Sequence, residues 1–316
     1  MKKILVTGAC GQIGSELVAE LGKKFGKKNI ISTDIQKAPT LVKEHSYFRY
    51  LNVLDVHMIA KTVVEEQIKT VFHMAAILSA SGEKNPQLAY DVNLNGLMNI
   101  LNVSRSKGVE RVIVPSSIAV FGPDAPKENT PNETPLNPTT MYGVTKVAGE
   151  KLMQYYHDKF GLDTRSLRYP GIISSETLPG GGTTDYAVDM YLKAVKSEPF
   201  NCYIKPETPL PFMYMPDAIR AIIALAFAES KTLKRRVYNV HSMRLSPDDI
   251  LGAIHQHLPE FRCRFEPDFR QQIAESWPAS IDDRFAREEW GWQPEFDLDG
   301  MTRDMLHKLS SKNQQG

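Results

Sequence analysis

The stretch that decides the fold is VTGACGQIG, residues 6–14. It closes the apolar run KILVT and opens SELVAELGKKF, where Leu17, Leu21 and Phe25 recur at helical spacing. Glycines at positions 8, 11 and 14 allow a tight turn, close backbone approach to a pyrophosphate, and helix–strand packing. The amides near Gln12 and Ile13 then stand at a helix N-terminus, where peptide dipoles favour an anion. Alone, the spacing of Gly8, Gly11 and Gly14 also suits an ordinary strand-to-helix turn. Asp34 separates the two readings. It ends the next strand, NIISTD, about 20 residues past Gly14, where a carboxylate accepts hydrogen bonds from ribose hydroxyls and repels a 2′-phosphate. NAD is therefore the expected cofactor, and Lys37 only slightly softens the exclusion of NADP. Asn52 and Val53, which follow the third strand, are expected to border the adenine.

Working outward, FRYLNV, TVFHMAA, RVIVPSS and DTRSLRYPGII read as further strands. Helical patterns over MIAKTVVEEQ, 87–106 and 141–160 alternate with them. Such alternation implies an α/β fold, a Rossmann-type doubly wound parallel sheet with its ligand at the carboxyl ends of the strands. Residues 1–170 are expected to form this NAD-binding domain, rejoined by about 212–242. A smaller C-terminal α/β substrate-binding lobe takes 171–211 and 243–311, and 312–316 form a frayed tail. Hydrophobic residues at 42%, charged residues at 24% and a net charge of +1 give no electrostatic reason to expect nucleic acid or a membrane surface. Cys10, Cys202 and Cys263 lack metal-ligand spacing and suit a reducing compartment. A cytoplasmic protein is expected, with a processed mitochondrial form as the alternative.

The sequence MYGVTK places Tyr142 and Lys146 at i and i+4 on one helix face. It follows PSSIAVFG, which sets Ser116 and Ser117 at the end of a strand. A serine hydroxyl, a phenol and a lysine beside a nicotinamide make a proton-transfer set. The ammonium and the positive ring are expected to lower the phenol's pKa, and Lys146 to hold the nicotinamide ribose. His73, alone in a buried strand, reads as hydrogen-bonded structure, and Cys10 as a small apolar filler.

With these motifs in place, the chain resembles the extended short-chain dehydrogenase/reductase family from Met1 to about residue 300. The stretches that carry the resemblance are VTGACGQIG, VFHMAA, YDVNLNGLMNIL, VPSSIAVFG, YGVTK and RYPGII. It implies Ser117 as the catalytic serine, Tyr142 as the acid/base and Lys146 as its lysine. It further implies that Ala75, Ala76 and Asn93 flank the cofactor, and that Tyr169, Pro170 and Ile172 lie beside the nicotinamide. Asn52 departs from the aspartate most members carry.

The loop LPGGGTTDYAVDMY, residues 178–191, follows directly on RYPGII and should face the substrate. Its glycines are expected to bring backbone amides close to a small ligand, with the Thr183 and Thr184 hydroxyls suiting a carboxylate. Ser79 and Ser81 come from another strand end, and a capped helix should start near Asp185. PGGGTTDYAV together with SWPASIDDRFAREEWGW resembles the short-chain type of L-threonine 3-dehydrogenases. That resemblance implies oxidation of L-threonine to 2-amino-3-oxobutyrate, with Ser79 and Thr184 on the substrate and Trp277 closing the pocket. It also implies a homodimer through the helices at 87–106 and 141–160 (Leu94, Leu97, Leu101, Val144, Ala148, Leu152), and coupling to a ketobutyrate-CoA ligase. No metal is expected, since His241, His255 and His257 form no ligand set. Two rivals stand beside this reading. One is a nucleotide-sugar epimerase of the same scaffold, using Arg220, Arg262, Arg264 and Arg270; the other is a non-catalytic NAD-sensing protein.

Overall fold

Strand–helix alternation is realised as one parallel sheet covered by helices. The computed structural model describes residues 2–178 and 180–313; Pro179 of the glycine loop and the end of the expected tail, 314–316, lie outside the described residues. The strands, in chain order, are β1 (Lys3–Thr7), β2 (Ile30–Asp34), β3 (Tyr47–Tyr50), β4 (Ile68–His73), β5 (Arg111–Ile113), β6 (Ser116–Ser117) and β7 (Asp163–Tyr169). After them come β8 (Gly171–Ile173), β9 (Phe200–Cys202), β10 (Leu210–Tyr214), β11 (Val237–Asn239), β12 (Met243–Leu245) and β13 (Cys263–Phe265). The main sheet runs β11-β7-β5-β4-β1-β2-β3, with β6 also paired to β7. Every one of its pairings is parallel, with Val6 opposite Ser32 on one side and Phe72 on the other. Strands covered on both faces read as near-continuous apolar runs rather than alternating ones. Ile4, Leu5 and Val6 are accordingly all buried.

The order reverses between β1 and β4, so the carboxyl ends of β1 and β4 open the crevice where a ligand sits in such sheets. A smaller sheet, β12-β10-β8, and a pair, β13-β9, build the second lobe. The chain then returns: β11 forms the edge beside β7, and the Met215–Phe227 helix packs against the Gln12–Phe25 helix through Phe227 and Phe25. Arg165 on β7 fixes that return. Fully buried, it donates to the carbonyls of Leu225, Ala226 and Ala228 at the helix C-terminus and is paired with Asp163. A cation there satisfies carbonyls that the helix itself cannot. Ala286 and Trp292 also pack in the first domain's core, so the segment around the Arg284–Trp290 helix sits with that domain rather than with the lobe.

Two further expectations are modified. The helix read as 87–106 is Pro86–Tyr90 and Gly96–Ser106, joined by a π-helical turn over Asp91–Asn95. The last helix, Leu298–Asn313, includes Lys312, which was read as tail; its ammonium donates to the carbonyls of Ser175 and Glu176 and pairs with the Glu176 carboxylate. Those three acceptors hold the segment in place.

Candidate active site

The cofactor cradle begins at Gly8, whose φ of +66° lies in the left-handed region. A Cβ there would stand 2.4 Å from the Ala75 amide nitrogen, so only glycine lets β1 and β4 meet this closely. Gly11 donates its N–H to the Gly8 carbonyl and caps the Gln12–Phe25 helix without a side-chain hydrogen bond. The first-turn amides at Gln12 and Ile13 therefore have no side-chain cap, and Gly14 is buried within that turn. Gln12 Nε2 is buried with no hydrogen-bond partner. An uncapped helix start, an orphaned amide and a cradle that a Cβ would fill fit a pyrophosphate.

Asp34 ends β2 with its carboxylate taking the amides of Cys10 and Gln36, both at 2.9 Å. Burial and Asp34 push the Cys10 thiol up to about 12, which keeps it protonated, as an inert filler is. Ala75 and Ala76 are half-buried at the end of β4. Val53 is buried against Gly96, while exposed Asn52 accepts the Leu54 amide. Asn93, in the π turn, spends its amide group on both backbone atoms of Ile77 and on the Thr145 hydroxyl. It thereby ties the β4 extension to the helix that carries Tyr142. His73 is held by the Thr7 hydroxyl at 2.7 Å. Burial, with Lys146 adding to it, pushes its imidazole down to about 3, so it is neutral.

The Met141–Phe160 helix delivers Tyr142 and Lys146. Thr140 caps it by accepting the Gly143 amide. A Cβ on Gly143 would lie 2.2 Å from the Ala119 carbonyl oxygen, so glycine lets this helix touch the turn that follows Ser117. Lys146 Nζ donates to the Pro115 carbonyl at 2.8 Å, and its ring neighbour Tyr142 lies 5.4 Å away. Burial pushes the Tyr142 phenol up to about 12, with the Ser117 hydroxyl pulling the other way. Burial also pushes Lys146 down to about 8. The expected lowering of the phenol is therefore not supplied by the protein alone: desolvation of the phenolate outweighs the Ser117 hydrogen bond.

One cavity of about 120 Å³ collects these groups. Its lining brings Ser117, Tyr142, Tyr169, Pro170, Ile172, Gln12 and Ile13 together with Ser79, Thr183, Thr184, Asp185 and Trp277, while Lys146 is not part of it. Tyr169 contributes its ring, because its hydroxyl donates to the Ala218 carbonyl. Ser79 and Thr183 are both buried, with their hydroxyls 3.1 Å apart and the Thr183 amide donating to Ser79 Oγ. The glycine amides behave differently from expectation. Those of Gly181 and Gly182 donate to Asp185 Oδ2, at 2.9 and 2.7 Å, so the loop binds its own aspartate. Asp185 precedes the Tyr186–Val195 helix but turns its carboxylate back into the loop instead of forward onto the helix. Burial pushes that carboxyl up to about 6 against the two amide bonds. Ser81 borders a neighbouring cavity that Gly181, Gly182 and Asp185 also line.

These features define the class. The chain belongs to the NAD-dependent epimerase/dehydratase family, whose model matches residues 4–240, and its fold is that of an extended short-chain dehydrogenase/reductase. NAD is that family's cofactor. Among its relatives, the mitochondrial L-threonine 3-dehydrogenase of Bos taurus is 43% identical over 99% of this chain and 84% of its own. The crystal structure of an L-threonine dehydrogenase from Phytophthora infestans is 48% identical, covering 98% of this chain and 100% of that one at a TM-score of 0.95. A UDP-glucose 4-epimerase from Thermotoga maritima, 19% identical over 99% of this chain and 100% of its own at a TM-score of 0.88, shares the fold alone. Among the described residues no group of three or more potential ligands could hold a metal, and no helix is long and apolar enough to cross a membrane.

Proposed function

We propose that this chain oxidises L-threonine at its 3-hydroxyl to 2-amino-3-oxobutyrate. The observation that carries the reading is the make-up of that cavity. Tyr142 and Ser117 share a cavity of about 120 Å³ with the residues Ser79, Thr183, Thr184, Asp185 and Trp277, with no Arg or Lys in the lining. A lining of hydroxyls without a cation offers a sugar diphosphate no charged partner, and suits an amino acid better than a nucleotide sugar. The four arginines that an epimerase could use stand elsewhere. Arg220 pairs with Asp217 and Glu295, Arg270 pairs with Asp268, and Arg262 and Arg264 line a separate groove.

Gly8, Gly11, Gln12 and Ile13 hold the pyrophosphate, Asp34 the adenosine ribose, and Lys146 the nicotinamide ribose. NAD, when bound, accepts the hydride from the substrate's β-carbon and brings a positive ring to the pocket. Ser117 donates to the threonine hydroxyl oxygen and fixes its direction. Tyr142, as phenolate, takes the hydroxyl proton, so the C–O bond becomes a carbonyl as the hydride departs. Since burial holds the free phenol near 12, the charge of Lys146 and the arriving ring together have to lower it. Ser79, Thr183 and Thr184 receive the polar end of the amino acid, and Trp277 excludes water. General-base action of this kind contributes roughly 10²–10⁴ in rate, alignment supplying much of the rest.

A homodimer through the helices around 87–106 and 141–160 is part of the proposal, on a revised surface. Leu97 and Leu101 are buried in the chain's own core, whereas Leu88, Tyr90, Val144 and Tyr155 are exposed. The unstable product would pass to a ketobutyrate-CoA ligase. The test is NADH formation with L-threonine, D-threonine, L-allo-threonine and L-serine, in the wild type and in Tyr142→Phe. Turnover of L-threonine that the variant loses supports the reading. Tight NAD binding without turnover of any of the four overturns it.

A further inference from the structure

Glu150 lies one turn beyond Lys146 on the same helix face and is buried. Its carboxylate is fully engaged. Arg168 on β7 reaches it twice, Nε to Oε1 and a terminal nitrogen to Oε2, both at 2.8 Å, and the Ser116 hydroxyl donates to Oε1 at 2.5 Å. Arg168 is itself anchored on the Asn132 carbonyl and Asn239 Oδ1. Ser116 and Arg168 are paired in the sheet, as are their neighbours Ser117 and Tyr169. One carboxylate thus joins the helix bearing Tyr142, the strand bearing Ser117 and the strand that leads into Tyr169 and Pro170.

An ion pair this deep is weak evidence for stability, because desolvating both charges offsets much of their attraction. Its placement suggests another use. We propose that Glu150 is a positioning residue, which holds the helix turn bearing Lys146 in register with the strand that carries Ser117. This rests on the reading of Tyr142, Lys146 and Ser117 as the proton-transfer set. The charged and titratable groups facing Lys146 are Glu150 and Tyr142 on its own helix and His73 on β4, with Arg168 behind Glu150. His73 is neutral, so Glu150 is the anion that favours the ammonium, and burial opposes it.

The experiment follows Lys146 directly, by nuclear magnetic resonance titration of isotope-labelled lysine, alongside the pH dependence of NAD binding by calorimetry. Glu150→Gln should move the Lys146 titration down by about one pH unit or more, the effect of removing a near opposite charge. NAD affinity should begin its alkaline decline correspondingly earlier. Because Glu150→Gln strands a buried guanidinium, Glu150→Gln with Arg168→Gln is measured beside it. The double variant leaves no uncompensated charge and should move Lys146 downward as well, by less than Glu150→Gln alone because a cation is removed with the anion. Glu150→Asp should restore part of the wild-type titration. An unmoved Lys146 titration in both Gln variants, with NAD affinity changed equally at every pH, overturns the proposal and leaves Glu150 a purely structural residue. Neither readout needs threonine turnover, so failure of the substrate assignment would be seen separately.

Discussion

Replacing Gly8 by alanine tests the cofactor cradle quantitatively, because a second glycine provides the reference. Gly8 and Gly108 share nearly the same backbone, φ +66° and +69°, and an alanine at either position pays for a left-handed conformation, about 1–2 kcal/mol. Their surroundings differ. The new methyl at Gly108 would meet nothing within 4 Å, whereas at Gly8 it would lie 2.4 Å from the Ala75 nitrogen and 2.7 Å from the Met74 carbonyl carbon. Forcing a methyl group into packed surroundings costs a further ~1–3 kcal/mol. Gly8→Ala should therefore be about 1–3 kcal/mol less stable than Gly108→Ala, read as the difference between their thermal melts. Relief of the clash must push the phosphate loop away from β4, so NAD affinity measured by calorimetry should fall at least about tenfold in Gly8→Ala. It should be unchanged in Gly108→Ala. Equal melting temperatures, or wild-type NAD binding in Gly8→Ala, would refute the argument that close approach to Ala75 defines this turn.

Three other outcomes are expected. Asp34→Asn should weaken NAD binding by about 1.5–3 kcal/mol, the worth of hydrogen bonds to a charged group, and move the preference between NAD and NADP towards the phosphorylated cofactor, checked by titrating both. Thr183→Val removes the hydroxyl that meets Ser79; KM for L-threonine should rise by roughly fivefold to tenfold, about 1 kcal/mol, with a smaller change in kcat, measured in steady-state assays. Burial pushes the Glu16 carboxyl up from 4.5 to about 7. The folded protein then holds a proton that the unfolded chain releases, so stability falls as pH rises from about 4.5 through 7. Glu16→Gln should melt higher than the wild type above that window, by the equivalent of about 3 kcal/mol, and match it near pH 4.5; a constant difference across pH would contradict the assignment.

The parts of the site that were legible in sequence are those fixed by local geometry. Gly8, Gly11 and Gly14 sit at a strand-to-helix turn, Asp34 ends a strand, and Tyr142 and Lys146 share a helix face; each relation spans a few residues or one element boundary. Ser79 and Thr183, 104 residues apart, could be read as facing one pocket only because each follows a sheet strand at its carboxyl end. The hydrogen-bond economy was not legible. That Gly181 and Gly182 serve Asp185 rather than a ligand depends on the direction in which one carboxylate turns, which no spacing encodes. The π turn at Asp91–Asn95 was hidden because one inserted residue barely disturbs helical periodicity. The burial that pushes the Tyr142 phenol up was not legible either, because charge neighbours are visible in sequence and desolvation is not.

The return of the chain through Arg165 bears on how this protein can be made. β7 lacks its outer neighbour until β11 exists, and the first core lacks Ala286 and Trp292 until the chain is nearly complete. During synthesis, then, both cores close late: the domain that begins at the N-terminus waits for Ala286 and Trp292, and the lobe waits for Met301, Met305 and Leu309 of the last helix. Fragments ending near residue 242 should remain protease-sensitive while the chain carried through the Leu298–Asn313 helix resists digestion. The two lobes are separate in space but not in time, and the NAD-binding half cannot be lent intact to another protein by cutting at its apparent border.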